Sequence, residues 1–539
     1  MTTDETAALD DLTSQLEELN RVGAALSAER NTSRLLELVL TKAREITRSD
    51  AGSLYIVEQA DASADDDLAE PARRMRFMIA QNDSVDLPFR DASIAVSDRS
   101  IAGYVAESGE TVTIDDAYAI PADAPYVFNR SFDEETGYRT RSVLAKPLRT
   151  PKGQIIGVLQ LINAKTDRSA RLDSEAAVAA HVTVYSTSLD ALATSLAAQA
   201  AIALENSQLW TEIHQLFEGF VRASVIAIES RDPITSGHSF RVANLTVALA
   251  EAADRADAGP MARVQFTRED MRTLRYASLL HDFGKVGVRE DILIKAKKLY
   301  PAQLDQIRDR FKLARRSREL ASMQSRLEHL LVHGRDAYLA RAPEFDADLR
   351  EATAHLDTDL AAIERANQPS VVADGTFERL PAIAALTYTD VDGSLQPLLH
   401  AEEVRLLSLR KGSLSDDERR EIESHVVHTY RFLSQIPWTR EIRRIPAIAV
   451  GHHEKLNGTG YPYKLAAPDI PLQTRMMTIS DIFDALSAVD RPYKKAVPIE
   501  RALDILKDAV TDGELDPVVF SLFVEARVFD RWMVEPHPY

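Results

Sequence analysis

A change of hydrophobic period divides this chain of 539 residues. After a predicted helix over residues 35–46, the apolar residues from Ser53 to Ala164 come in short β-branched runs bounded by Gly, Pro and Asp. These are SLYIVE (53–58), RFMIAQ (76–81), TVTIDD (111–116), RSVLAKPL (141–148) and GQIIGVLQLINA (153–164). Such runs suit an antiparallel sheet with helices on its flank. From Leu189 to about Ile228 the chain is rich in Ala, Leu and Ile without proline, and beyond Ser224 helical patterns dominate. A chain carrying both patterns, and well above the roughly 100–200 residues of one domain, is expected to hold two or more domains.

Two further segments frame that division. Leu9, Leu12, Leu16, Leu19 and Leu26 recur at spacings of three and four with Gly23 in the missing slot. They predict a helix over residues 1–30, either a short coiled coil or an amphipathic helix on its own domain. Leu192, Leu196, Ile202, Leu209, Ile213 and Leu216 give an apolar stripe to a connecting helix over 189–223. The two seams together predict a parallel homodimer. Residues 301–410 form an excursion, first helical and charged, later punctuated by Pro and Gly. His329, His333 and His355 lie there on charged helices and read as surface residues.

Composition excludes several classes. Cysteine is absent, so there is no disulfide framework, thiolate nucleophile, iron–sulfur cluster or Cys-ligated zinc. A net charge of −19, from 64 Lys+Arg and 83 Asp+Glu, argues against nucleic-acid or anionic-membrane binding. The start MTTDETAALDDL has neither the basic region nor the apolar core of a signal peptide, and no run approaches about 18 consecutive apolar residues. A cytoplasmic protein is the expectation.

Of the 13 histidines, five share apolar-flanked helical contexts with two aspartates. His281-Asp282 ends YASLLHD and is followed by FGK; His452-His453 precedes EKLNGTGYP. His238 lies in TSGHSFRV, His425 in IESHVVHTY and Asp481 in MMTISDIFDAL. Imidazole and carboxylate without thiolate make a borderline-to-hard metal site suited to Fe, Mn, Zn or Co. Adjacent ligands on a helix diverge by about 100°, so they serve two neighbouring ions better than one. Asp282 has two oxygens with which to bridge them. Two close metals are a standard device for phosphoester hydrolysis, one activating water and the other polarising the phosphoryl oxygen. Lys285, three residues after Asp282, is placed to meet a non-bridging phosphate oxygen.

Two families are recognisable. SIAGYVAESGETVTIDDA, TGYRTRSVLAKPL and IIGVLQLINA resemble a GAF domain over residues 31–205, a small-molecule-sensing α+β module. The stretch NRSFDEETGYRTRS (129–142) is similar to cyclic-nucleotide-binding members, but Asn129, Phe132 and Glu134 stand closer together than in their spaced motif. The GAF ligand is therefore left open, with cyclic nucleotides among the candidates.

LLHDFGKVGVREDILIK, KGSLSDDERREIESH, HHEKLNGTGYP and DIFDALSAVDRPYKK resemble the HD-GYP phosphodiesterases, all-helical enzymes that cleave cyclic di-GMP on a metal cluster. That resemblance implies an HD-GYP domain over 224–539, interrupted by the excursion. By matching motif, one ion would take His238, His281, Asp282 and Asp481, and the other Asp282, His425, His452 and His453. Fe or Mn is the first expectation, with Zn, Co, Ni and Mg as alternatives. His281, Asp282 and Lys285 would be catalytic. Lys285, Arg491 and Lys494 would hold the phosphates, while Tyr461 and Pro462 would shape the nucleotide pocket and contact signalling proteins. Departures are Asn457 in place of the usual Asp, the excursion itself, and about ten extra residues near DRADAGPMARVQF. His428 matches a non-ligand position. Trinuclear members carry a glutamate four residues before the histidine that His238 matches; Ile234 stands there, so two ions are expected, with pGpG as product and onward cleavage to GMP as the alternative. The alternatives are hydrolysis of another cyclic dinucleotide or nucleotide, and a ligand-gated interaction protein without turnover.

Overall fold

The computed structural model describes residues 17, 19–29, 31–59, 73–85, 93–95, 99–231, 237–369, 376–488 and 496–531. The chain forms two units, Met1–Phe217 and Glu218–Tyr539.

In the first unit the predicted runs become β1 (Ser49–Gln59), β2 (Arg73–Asn82), β4 (Val112–Ile114), β5 (Val143–Arg149) and β6 (Ile155–Lys165). They join β3 (Ser93–Ala95) and β7 (Val182–Thr183) in one sheet of order β3-β2-β1-β6-β5-β4, with β7 beside β6. Every pairing is antiparallel. Strands β3 and β7 are too short to carry a readable period. Side-chain alternation gives the sheet two apolar faces. Leu144, Leu148 and Leu159 pack with Leu36, Val39 and Leu40 of helix Thr32–Thr47. Val143, Ala145 and Val158 pack on the other side with Ile101 and Val105 of helix Ile101–Ser108. A cavity of about 620 Å³ opens in this unit, with Tyr55, Phe77, Asn82, Phe128, Phe132 and Tyr138 among its walls.

The apolar seams behave differently from one another. Leu9, Leu12 and Leu16 lie outside the described residues, while Val22 and Leu26 are buried in the core of their own unit. The connecting helix runs Thr187–Glu229, longer than expected. Its stripe splits into two. Leu196, Ala200 and Leu204 fill the first unit's core, whereas Ile202, Leu209, Ile213 and Leu216 are exposed. By length and composition alone this helix could cross a membrane, but it delivers Leu196 and its neighbours to a protein core.

The second unit is largely helical. Leu245 and Leu249 of helix His238–Asp254, Leu274 of Arg268–Leu280, and Met476, Ile479 and Phe483 of Leu472–Ser487 form its centre with Phe523. One short ribbon, β8 (Thr387–Thr389) with β9 (Leu395–Pro397), departs from the expected all-helical pattern. Its turn signal, Asp392-Gly393 with Gly393 at φ 85°, is readable in the sequence.

The excursion is built as a helical hairpin. Helix Pro301–Ala366 reverses at Gly334, whose φ of 82° suits glycine. Ion pairs then zip the limbs antiparallel: Arg308 with Glu364, Arg315 with Asp357, and Arg326 with Asp346. The base is pinned, since Asn367 accepts the Leu299 N–H on its side chain and the Lys298 N–H on its carbonyl.

Candidate metal centre

Five chain segments bring the seven predicted ligands into one buried cluster. His238 opens helix His238–Asp254, and His281-Asp282 follow helix Arg268–Leu280. His425 opens His425–Leu433, His452-His453 follow Ile445–Ala449, and Asp481 sits within Leu472–Ser487. Three ligand triplets, each with its donor atoms within 4.8 Å of one another, overlap there: His238/His281/Asp282, His281/His452/Asp481 and His425/His452/His453. All are buried except the partly buried His453.

The two oxygens of Asp282 face different histidines. Oδ2 lies 3.5 Å from His281 Nε2 and 3.9 Å from His238 Nε2, while Oδ1 lies 3.2 Å from His425 Nε2 and 3.9 Å from His452 Nε2. Asp481 Oδ1 stands 3.2 Å from His238 Nε2 and 3.8 Å from His281 Nε2, on the Oδ2 side.

Each histidine that enters the cluster through Nε2 has its other nitrogen held from behind. Nδ1 of His281, His425 and His452 donates to the carbonyl three residues earlier, on Ser278, Ile422 and Ala449, at 2.6–2.7 Å. Nδ1 of His238 meets Asp484 Oδ2 at 2.7 Å. These bonds fix the tautomer and aim the Nε2 lone pairs inward. His425 and His452 then oppose two Nε2 atoms at 3.4 Å, and buried His281 Nε2 has no hydrogen-bond partner. Facing lone pairs without a proton between them call for cations, so the donor set fits metal.

Charge follows the same logic. Burial pushes His281 down, His452 well down and His453 to about 4, favouring the neutral, ligating form. Burial opposes ionisation of Asp282, but Lys285 and the neighbouring imidazoles hold its carboxyl well below the usual range. His238 departs from this pattern: burial opposes its charge, yet its bonds to Asp481 and Asp484 lift it to about 9.

Several supporting residues escaped the sequence reading. Asp484 orients His238 and is itself gripped by Arg241, whose Nε and Nη2 donate at 2.7 and 3.1 Å. Its signal was its place three residues beyond Asp481, one turn along the same helix. Thr429 Oγ1 donates to the His281 carbonyl and accepts from Gly284 N–H. A Cβ on Gly284 would sit 1.9 Å from the His425 carbonyl oxygen, so this backbone crossing needs glycine. Buried Glu454 accepts from Tyr463 and Leu465 N–H and ties down the GYP loop.

The other predicted residues are placed as follows. Lys285 Nζ stands 2.9 Å from Asp282 Oδ2 at the edge of the cluster. The Tyr461 ring packs on His453 at 4.8 Å between centroids, with Pro462 next to it in the loop. Arg491 and Lys494 lie outside the described residues. His428 is directed to Gly287, and Asn457 accepts from Thr459 N–H and hydroxyl while donating to the Asp512 carbonyl.

Residues 31–204 match the GAF domain family, and 235–355 and 402–519 each match an HD domain family. The chain carries a GAF domain followed by an HD domain. Over 117 residues the GAF–HD chain is 38% identical to a 3'3'-cGAMP-specific phosphodiesterase of Vibrio cholerae, covering 22% of this chain and 24% of that protein. Over 121 residues it is 36% identical to a cyclic di-GMP phosphodiesterase of Pseudomonas aeruginosa, covering 22% and 27%. The likeness thus spans about a quarter of these relatives' length. A solved GAF domain from an Acinetobacter phosphoenolpyruvate-protein phosphotransferase is 15% identical, covering 37% of this chain and 98% of its own with a TM-score of 0.26.

Proposed function

We propose that the HD domain is a metal-dependent phosphodiesterase that hydrolyses cyclic di-GMP to pGpG under control of the GAF domain. The observation that carries this reading is Asp282, whose two carboxylate oxygens each address a separate histidine pair. Two divalent ions, Fe or Mn by donor type, would supply Lewis acidity and an activated water. Asp282 would bridge, with His238, His281 and Asp481 on one side and His425, His452 and His453 on the other. Lys285 would exchange its contact with Asp282 for a non-bridging phosphate oxygen as substrate enters. Tyr461, stacked on His453, would form one wall for the nucleotide, and Arg491 and Lys494 would bind phosphate. The exposed face of the GYP loop would dock signalling proteins.

With Ile234 at the expected third-ion position, the carboxylates near His238 in sequence that could hold a third ion are Glu229 and Asp232; a count of two is consistent with Glu229, whose carboxylate oxygens are both engaged by backbone N–H groups. Ile234 and Asp232 lie outside the described residues. The test is metal analysis of anaerobically purified protein with turnover of cyclic di-GMP and 3'3'-cGAMP on the same sample. Two ions and faster cleavage of cyclic di-GMP, ending at pGpG, are expected. Faster cleavage of 3'3'-cGAMP would favour the second reading, which the Vibrio relative motivates.

The GAF cavity would take the regulatory small molecule, in a cytoplasmic homodimer. Exposed Ile202, Leu209, Ile213 and Leu216, spaced by seven, four and three, form a seam that a second parallel copy would cover. Light scattering at micromolar concentration should show a dimer that Ile213→Asp with Leu216→Asp converts to monomer; a monomeric parent refutes the seam.

A further inference from the structure

The helix that opens with His238 lacks a cap of its own. Gly237 occupies its N-cap with φ 67°, a conformation suited to glycine, and glycine has no side chain with which to bond the exposed N–H groups. Ordinarily Ser, Thr, Asp or Asn would do so. Here the acceptor comes from another helix. Glu229 Oε2 accepts the Gly237 N–H at 2.8 Å, and Oε1 accepts the Ser239 N–H at 3.2 Å. One carboxylate therefore holds the backbone on both sides of His238. It also places negative charge at a helix N-terminus, where the dipole favours it.

Glu229 is the last residue of the connecting helix Thr187–Glu229. That helix end is keyed to other parts of the same cluster. Glu218 accepts a hydrogen bond from Tyr276 on the helix that leads to His281. Just past the helix, Arg231 donates to the Val286 carbonyl at 2.7 Å, one residue from Lys285.

We propose that Glu229 is a positioning residue for His238: a carboxylate at the end of the connecting helix that fixes the backbone carrying this ligand and so sets the affinity of the His238-side metal. Asp484 aims the imidazole, and Glu229 anchors the main chain beneath it. The two tasks are separable, because the Asp484 bond to His238 is to the imidazole and the Glu229 bonds are to the main chain. The inference rests on the metal reading above.

Titrating Mn²⁺ into metal-free full-length protein distinguishes the two. The parent should bind two ions. Glu229→Ala should keep one at parental affinity, on the His425/His452/His453 side, and bind the other 10–100-fold more weakly, the scale of a lost supporting residue. Glu229→Gln retains one acceptor oxygen and should fall between. Hydrogen exchange on the metal-free proteins gives a second readout. The Gly237 and Ser239 amides should exchange faster in Glu229→Ala, while the Gly284 amide, held by Thr429, should not change. Equal affinities and equal exchange in parent and Glu229→Ala would overturn the positioning role alone. A fall from three ions to two would instead make Glu229 a ligand and overturn it too. A parent that binds no Mn²⁺ would remove the metal reading and this inference with it.

Discussion

Asp282→Ala is expected to abolish turnover and to cost more bound metal than any other single ligand replacement. In the proposed assignment every other ligand would serve one ion, although a His452 nitrogen also lies within 4.8 Å of donor atoms of His281 and Asp481. Asp481 lies nearest to His238 and His281, at 3.2 and 3.8 Å. Asp282 reaches both sides through separate oxygens, 3.5 Å from His281 and 3.2 Å from His425. Under the bridging assignment its loss would remove a donor from each ion. It would also leave Asp481 as the one carboxylate among the six remaining proposed ligands to balance dications in a buried, histidine-lined site. Turnover should fall by about 10³-fold or more, the upper range for deleting an electrostatic stabiliser. Lys285→Ala should lower turnover by about 10²-fold and leave metal content unchanged, because Lys285 contributes charge without a metal-ligating atom. Metal analysis and turnover on matched samples decide the matter. Asp282→Ala carrying the parent's metal content would end the bridging assignment.

The donor types of this cluster were legible in the sequence because metal chemistry restricts them. Two adjacent polar pairs, His281-Asp282 and His452-His453, in apolar surroundings leave few bland explanations. The sheet was legible through its β-branched runs, as in GQIIGVLQLINA becoming β6. What the sequence hid lies in non-local backbone contacts. The carbonyls of Ser278, Ile422 and Ala449 set three histidine tautomers, and a carbonyl acceptor leaves no mark on residue type. Gly284 reads as any loop glycine until the His425 backbone is found against it. Glu229 lies eight residues from Gly237 and is invisible as a cap because the chain must fold back to make it one. The apolar stripe of the connecting helix reads as one seam, and period alone does not divide it. Leu196 and Ile202 differ in burial because the helix packs on the sheet along only part of its circumference. Gly334 likewise gives little warning of a hairpin, since an isolated glycine in a helical run is tolerated at a cost of about 1 kcal/mol.

Glu418→Ala is expected to lower the stability of the second unit by about 3–5 kcal/mol, the range for stranding one partner of a buried ion pair. Its carboxylate accepts from Lys295 Nζ at 2.7 and 2.8 Å, from the Tyr300 hydroxyl at 2.7 Å and from Ser415 N–H at 2.8 Å. The Lys295 side chain is only 1% exposed, so the substitution leaves a buried ammonium without its counter-charge. Although burial disfavours the ionised form, the bonds from Lys295, Tyr300 and Ser415 outweigh it and bring Glu418 down to about 2 from an ordinary 4.5. A carboxylate depressed on folding stabilises the native state above its unfolded pKa and loses that contribution as pH falls through the folded one. The parent should therefore lose on the order of 3 kcal/mol between pH 4.5 and pH 2 through this group, and Glu418→Ala should lack that component. Denaturant unfolding across this pH range measures both effects; parallel curves for parent and variant would remove the pair from the account. The location of the pair explains how the long hairpin is accommodated. Lys295 precedes the hairpin and Glu418 follows it, and with the Asn367 bonds to Lys298 and Leu299 they close its base. The segment carrying Asp282 and Lys285 is thereby fastened to helix Asp416–Glu423, which leads directly into His425. Both sides of the candidate metal centre can then keep their spacing although the chain between them travels out along one limb and back along the other.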